Sequence, residues 1–222
     1  MVNQLVVSGI LFDLDGTLID TIECIEIYWR KLCDEYSIDA DELFSVCHGV
    51  QTIKLLERFF PKEIANQKTV EELEYKVMND TTGVFVVEGA RELLAKIPYT
   101  KWGIVTSGTH LMAVTRINQM KLTVPDCFFP SDKVSKSKPD PEGYIKGAQF
   151  LGLNPRDCVV FEDAIAGVKA GFSAGCTVIG ILSSHTNEKQ LIEAGATFCI
   201  RNYNDLEVKT ENGKILISLI QK

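Results

Sequence analysis

The chain has 222 residues, 45% of them hydrophobic and 24% charged, the make-up of a folded protein with a sizeable core and not of a disordered one. Its 30 acidic against 23 basic residues leave a net charge of −7 with no basic cluster, which argues against a general affinity for nucleic acid. The apolar run over 5–12 is too short to span a membrane, and the first residues lack the basic segment of a secretory signal. Seven cysteines, an odd number without a C-x-x-C pair, fit a reduced, cytoplasmic compartment in which cysteine serves as a small core residue.

Residues 4–12 read as a strand buried on both faces that ends abruptly in Asp13-Leu14-Asp15-Gly16-Thr17. From about Thr21 to Thr82 the periodicity is helical. Ile22, Ile25, Trp29, Leu32 and Tyr36 form one apolar stripe, and Asp41-Glu42-Leu43-Phe44 starts a short helix. A further helix over 50–60 stops at Pro61, and a longer one over 63–78 carries Glu and Lys on its outer face. After Gly83 helices and strands alternate. Helices are predicted over 89–97, 110–120, 141–152, 164–174 and 187–194, and strands over 102–106, 127–129, 158–161, 177–181 and 197–200. Asn212-Gly213 between two strand-like runs within 206–217 predicts a hairpin.

This alternation predicts an α/β fold with a parallel sheet covered by helices on both faces. The helical block after the first strand is several times too long for a crossover and reads as an inserted all-helical cap. Residues 1–18 and 84–222 would then form the core domain and 19–83 the cap, hinged near 18–21 and 83–88.

Ligands of open parallel sheets bind beyond the carboxyl ends of the strands. Three predicted strand ends carry polar residues that a core does not need. Asp13 and Asp15, at i and i+2, can face one side of an extended chain. Their repulsion requires a cation or a shared proton, and Gly16 lets the backbone turn away. At Thr106-Ser107-Gly108-Thr109, hydroxyls and free N–H groups make a seat for phosphate oxygens, with helix capping as the competing reading. Ser107 is no G-x-S-x-G nucleophile, because Val105 stands where the first glycine would be. Glu162-Asp163 suggests metal ligation, again against helix capping. In the loop 135–142 prolines stiffen the chain, so Lys138 is either a solvated lysine or a fixed charge held inward. Gly167, Gly171 and Gly175 read as close helix–sheet packing. No dinucleotide or P-loop motif is present, and His48, His110 and His185 show no metal-ligand spacing. His48, in a cap loop before Gly49, reads by default as a surface histidine.

In order, Asp13-Leu14-Asp15-Gly16-Thr17, Thr106-Ser107-Gly108, Lys138 before Pro139, and Glu162-Asp163 resemble the four motifs of the haloacid dehalogenase-like hydrolases, over nearly the whole chain. The insertion is similar to the helical cap of that superfamily's phosphoglucomutase-like branch, on a Rossmann-like core. Residues 32–36, 42–44, 48–49, 102–108, 138–144 and 161–164 especially resemble bacterial sugar and hexitol phosphatases and the yeast 2-deoxyglucose-6-phosphate phosphatase. Ile165 departs from a proline common there and would alter only a turn.

The resemblance implies a Mg²⁺-dependent phosphatase of small phosphorylated sugars or polyols. Asp13 would form an aspartyl-phosphate, and Asp15 would act as general acid and then base. Mg²⁺ would be held by Asp13, the Asp15 backbone carbonyl and Asp163, with Glu162 nearby. Thr106, Ser107, Gly108 and Lys138 would bind the phosphoryl oxygens. In the cap, Gly49 would let the backbone pass close to substrate, and His48 would donate a hydrogen bond to a sugar hydroxyl. A phosphosugar mutase and a non-catalytic phosphosugar sensor are the alternatives. A dehalogenase has no use for the acid at Asp15. A monomer or weak dimer, with no nucleic-acid or membrane partner, is expected.

Overall fold

The computed structural model describes residues 4–220. Its elements follow in chain order as β1 (Leu5–Val7), β2 (Gly9–Phe12), β3 (Ile19–Asp20), α1 (Ile22–Tyr36), α2 (Ala40–Phe44), α3 (Thr52–Phe59), α4 (Gln67–Met78) and β4 (Phe85–Val86). Then come α5 (Ala90–Lys96), β5 (Trp102–Val105), α6 (His110–Gln119), β6 (Cys127–Phe129), α7 (Glu142–Phe150), β7 (Cys158–Glu162) and α8 (Ile165–Ala174). The chain closes with β8 (Thr177–Ile181), α9 (Glu188–Ala194), β9 (Phe198–Ile200), β10 (Leu206–Glu211) and β11 (Lys214–Leu219).

Six parallel strands form the central sheet in the order β6-β5-β2-β7-β8-β9. Side chains alternate across it. Ile10, Phe12, Ile104, Phe161 and Ile179 join the core on one face, and Leu11, Val105, Val160 and Val178 the core on the other. All four residues of β2 are buried, as a central parallel strand requires. Phe12 stacks on Phe161 of the neighbouring strand at 5.2 Å, so β2 and β7 are pinned side by side.

The first predicted strand is two strands. β1 leaves the parallel sheet and pairs antiparallel with β11, which pairs with β10. Val6 is exposed there, so unbroken burial holds only from Val7 onward. The break falls at Ser8, whose N–H reaches the Asp157 carbonyl at 2.7 Å instead of a ladder partner. The predicted hairpin forms, and Asn212 and Gly213 both take positive φ, as a tight two-residue turn requires.

Between β3 and β4 lie the four helices α1–α4. They share a core of their own, in which Trp29, Cys33, Leu43, Leu56 and Phe60 are buried. β3 and β4 pair antiparallel, so both chain crossings to the helical insertion run through one short ribbon. α4 begins at Gln67, later than the predicted 63, because the Asn66 side chain caps it by accepting the Thr69 N–H at 3.1 Å. α4 also does not carry all its acids outside, since Glu74 sits among its buried residues. The fully buried Arg116 of α6 donates to the carbonyls of Val77 (2.6 Å) and Asp80 (2.7 Å), a cation at the C-terminal end of α4 that ties the insertion to the sheet side. Among the described residues no helix is long and apolar enough to cross a membrane.

Candidate active site

β2 lies between β5 and β7, so the segments that follow these three strands meet at one end of the sheet although they are far apart in sequence. Asp13 and Asp15 come from the end of β2, Thr106, Ser107 and Gly108 from the end of β5, and Glu162 and Asp163 from the end of β7. This is also where the strand order reverses, the usual ligand crevice of an open parallel sheet.

Asp13 is buried, and its backbone N–H is held by the Phe161 carbonyl at 3.0 Å. Lys138 is also buried. Its Nζ stands 2.5 Å from Asp13 Oδ1 and 2.6 Å from Glu162 Oε1, so it is the fixed inward charge and not a solvated lysine. Glu162 Oε1 accepts the Tyr144 hydroxyl as well (2.6 Å), and its Oε2 accepts the Ala164 N–H (3.3 Å). Both oxygens of Glu162 thus hold protein donors. Asp163 accepts the Thr17 hydroxyl at 3.0 Å and lies 3.3 Å from His185 Nε2. Gly16, at φ 87°, allows the Asp163 carboxylate to pass so close that a Cβ there would collide with it.

Oxygens of Asp13, Glu162 and Asp163 all lie within 4.8 Å of one another. Three buried carboxylates around one lysine leave uncompensated negative charge. Burial, opposed chiefly by Lys138, pushes Asp13 well above the usual aspartate range, and burial with the charges of Asp13 and Glu162 does the same to Asp163. Burial alone would lower the Lys138 pKa, but Asp13 and Glu162 outweigh it and hold the ammonium above the ordinary lysine value. A hard divalent cation with oxygen ligands suits this donor set and relieves the repulsion.

Asp15 accepts the Thr21 hydroxyl at 2.8 Å and the Thr106 hydroxyl at 3.4 Å. Burial holds its carboxyl above the ordinary value, the direction that favours proton donation near neutrality. Thr106 Oγ1 in turn accepts the Gly108 N–H at 3.1 Å.

A cavity of about 90 Å³ opens over these groups, between the sheet end and the helical insertion. Its floor includes Asp13, Asp15, Thr106, Ser107 and Gly108. Ile25, Trp29, Leu55 and Val77 wall it on the helical side, with His48, Gly49, Thr52 and Glu74 as polar groups. The insertion is shut on the sheet. Ser107 donates its hydroxyl to the Gly49 carbonyl at 2.8 Å, and Thr109 donates to Glu74 at 2.5 Å. A Cβ on Gly49, at φ 74°, would stand 2.8 Å from the Cβ of Ala164, so the close approach at this glycine is to the loop after Asp163.

His48 is not a surface residue. Its ring stacks on His185 at 3.6 Å and 20°. Its Nε2 is buried without a hydrogen-bond partner, 3.5 Å from Glu26 but not aligned to bond it. Burial lowers His48 to about 4, so the ring is neutral, and the contact with Glu26 is no ion pair at neutral pH. Burial, helped by His48, lowers His185 to about 3.

The seven cavity residues named from sequence (Asp13, Asp15, His48, Gly49, Thr106, Ser107 and Gly108) share one space, and Lys138, Glu162 and Asp163 stand directly behind Asp13. Sequence reasoning missed His185, Tyr144 and Glu74. His185 is a lone histidine in an aperiodic loop and gives no signal. Glu74 does give one, since it falls within the buried stripe that Val70, Leu73 and Val77 mark on α4.

The family model described as haloacid dehalogenase-like hydrolase matches residues 10–181. The chain is 37% identical to 2-deoxyglucose-6-phosphate phosphatase 1 of Saccharomyces cerevisiae, over 93% of each protein. It is 38% identical to hexitol phosphatase A of Escherichia coli, over 78% of this chain and 82% of the other. Among solved structures, the β-phosphoglucomutase of Clostridium difficile superposes with a TM-score of 0.77 at 25% identity, over 90% of this chain and 93% of that one.

Proposed function

The chain belongs to the haloacid dehalogenase-like hydrolases, and from that premise we propose that it is a phosphatase of small sugar or sugar-alcohol phosphates, working through an aspartyl-phosphate on Asp13. The observation that carries this reading is the pairing of Asp13, fixed against Lys138, with Asp15 in one cavity roofed by the helical insertion.

In the first half-reaction an Asp13 oxygen attacks phosphorus and the bond from phosphorus to the alcohol oxygen breaks. Asp15 gives its proton to that oxygen. In the second, Asp15 takes a proton from water as the water oxygen attacks the same phosphorus, releasing phosphate and restoring the Asp13 carboxylate. Lys138 and, once released from Asp15, Gly49 and Thr106 Oγ1 respectively, the hydroxyls of Thr106 and Ser107 and the N–H of Gly108 would hold the equatorial oxygens while charge builds on them. Mg²⁺, held by Asp13, Asp163 and the Asp15 carbonyl, would supply further charge neutralisation. Glu162 sits behind this set, where its bonds to Lys138 and Tyr144 keep the lysine aimed at Asp13. The insertion at 19–83 acts as a cap that excludes water while shut and opens on the β3–β4 ribbon. His48 lines the cavity wall with its Nε2 buried and unpaired beside Glu26, so a sugar hydroxyl would reach that nitrogen only after the ring shifts. Seven unpaired thiols support a reduced, cytoplasmic setting.

The test is phosphate release from a panel of hexose, hexitol, pentose and glycerol monophosphates, with Mg²⁺ and then with EDTA. Stoichiometric free phosphate that stops in chelator is the expected result. An isomeric phosphosugar in place of free phosphate would mean a mutase, and binding without turnover would mean a sensor.

A further inference from the structure

α4 buries one charged side chain. Val70, Leu73, Glu74, Val77 and Met78 are its buried residues, and Glu74 alone among them carries a charge. A buried carboxylate normally has a cationic partner. Glu74 has two hydroxyls instead, Thr52 at 3.3 Å on one oxygen and Thr109 at 2.5 Å on the other. Burial holds its carboxyl above the ordinary glutamate value, and these two donors only partly oppose that. An ionised carboxylate has room for about four donors, so about two positions are unused. Glu74 lines the cavity over Asp13 and Asp15, on the side that a leaving alcohol would occupy. No lysine or arginine among the described residues lines that cavity.

We propose that Glu74 is the specificity residue for the alcohol part of the substrate: it accepts hydrogen bonds from hydroxyls of a neutral polyol and, by its charge, turns away substrates that carry a second anionic group. This rests on the phosphatase reading above and narrows its substrate class to monophosphates of uncharged sugars and sugar alcohols. A cavity with a buried carboxylate and no lining cation has nothing to seat a second phosphoryl group or a carboxylate. It has the acceptors that a row of hydroxyls needs. A site built to bond hydroxyls also rejects analogues that lack them, because its own polar groups are then left unpaired.

The experiment compares kcat/KM of wild type and Glu74→Gln on three esters with Mg²⁺: glucitol 6-phosphate, 6-phosphogluconate and p-nitrophenyl phosphate. The second has the same carbon skeleton as the first, ending in a carboxylate. The wild type is expected to prefer glucitol 6-phosphate over 6-phosphogluconate at least tenfold. Glutamine keeps the shape and can still bond Thr52 and Thr109, but it lacks the charge. In Glu74→Gln the preference should shrink below about threefold, and the rate on glucitol 6-phosphate relative to p-nitrophenyl phosphate should fall about tenfold or more. Equal losses on all three esters would make Glu74 a closure latch acting through Thr109 and overturn the proposal. Should the variant fail to fold, the wild-type comparison decides alone: equal turnover of glucitol 6-phosphate and 6-phosphogluconate overturns it. Turnover of p-nitrophenyl phosphate only would overturn it while leaving the phosphatase reading intact. No phosphate release from any of the three, nor from the wider panel above, would remove that reading itself.

Discussion

Replacing Lys138 by methionine keeps most of the buried stem and deletes the ammonium. Asp13 and Glu162 then lose contacts of 2.5 and 2.6 Å, and with Asp163 they form a buried cluster with no lysine against it. Removing one partner of a buried ion pair costs about 3–5 kcal/mol, a large share of the roughly 5–15 kcal/mol that holds a domain together. For a chain of this length each kcal/mol moves Tm by about 2–4 °C, so a fall of roughly 6–20 °C is expected in EDTA near pH 7.5. The sign of the pH dependence follows from the raised values of Asp13 and Asp163. The folded state binds these protons more tightly than the unfolded one, so stability falls as pH rises from about 4 through the folded values. The deficit of Lys138→Met should therefore grow from pH 5 to pH 8. Millimolar Mg²⁺ should raise Tm more in the variant than in the wild type, because the added cation then compensates charge that the lysine no longer does. Turnover should drop about 100-fold or more, as when one donor to a developing oxyanion is removed. Differential scanning fluorimetry across pH, with and without Mg²⁺, reads the first two effects. An unchanged Tm in EDTA, or an equal Mg²⁺ shift in both proteins, would refute the role of Lys138 as balancing charge.

Asp13→Asn should lower turnover by several orders of magnitude on every ester, since uncatalysed phosphate-ester hydrolysis offers no side route; near-normal kcat in this variant would sink the covalent mechanism. Asp15→Asn should spare p-nitrophenyl phosphate far more than an alkyl phosphate in single-turnover phosphorylation, because a good leaving group needs no proton, and equal losses would count against Asp15 as the acid. His48 has a folded pKa of about 4 against an ordinary 6.5, so the stability it contributes is whole above pH 6.5 and is lost as pH falls toward 4, on the order of 2 kcal/mol by pH 4.5. His48→Phe, which keeps a ring against His185 but cannot take a proton, should make the fall of Tm between pH 6.5 and 4.5 shallower without abolishing it, since His185, also held low by burial, still titrates; parallel profiles would show that His48 does not titrate with unfolding.

Strand and helix periodicity locates nearly every element, because the parallel sheet is dense in apolar residues and each helix has one oily face. β1 escapes this logic. Leu5-Val6-Val7 is apolar enough to read as the start of β2, and only pairing with a strand more than 200 residues later assigns it elsewhere. The two carboxylates proposed as catalytic are legible because Asp13 and Asp15 interrupt a buried run where a core residue would be expected. Lys138 is ambiguous from sequence, since a prolyl loop serves a surface lysine equally well, and the carboxylates that draw it inward lie 125 and 24 positions away in the chain. The His48–His185 stack is illegible, since neither residue's neighbours distinguish a solvated histidine from one pressed against another ring.

The pairing of β1 with β11 also bears on how the chain is made. Synthesis delivers β1 and β2, with Asp13, long before residues 206–219 exist to cover them. Until the hairpin arrives, β1 is an open strand edge presenting Leu5 and Val7, the kind of edge that recruits another chain. Closing a loop of this span is slow, which lengthens the exposure. Molecules that lose β10 and β11, by stalled translation or proteolysis, would retain every side chain of the proposed site and yet be the aggregation-prone members of the population.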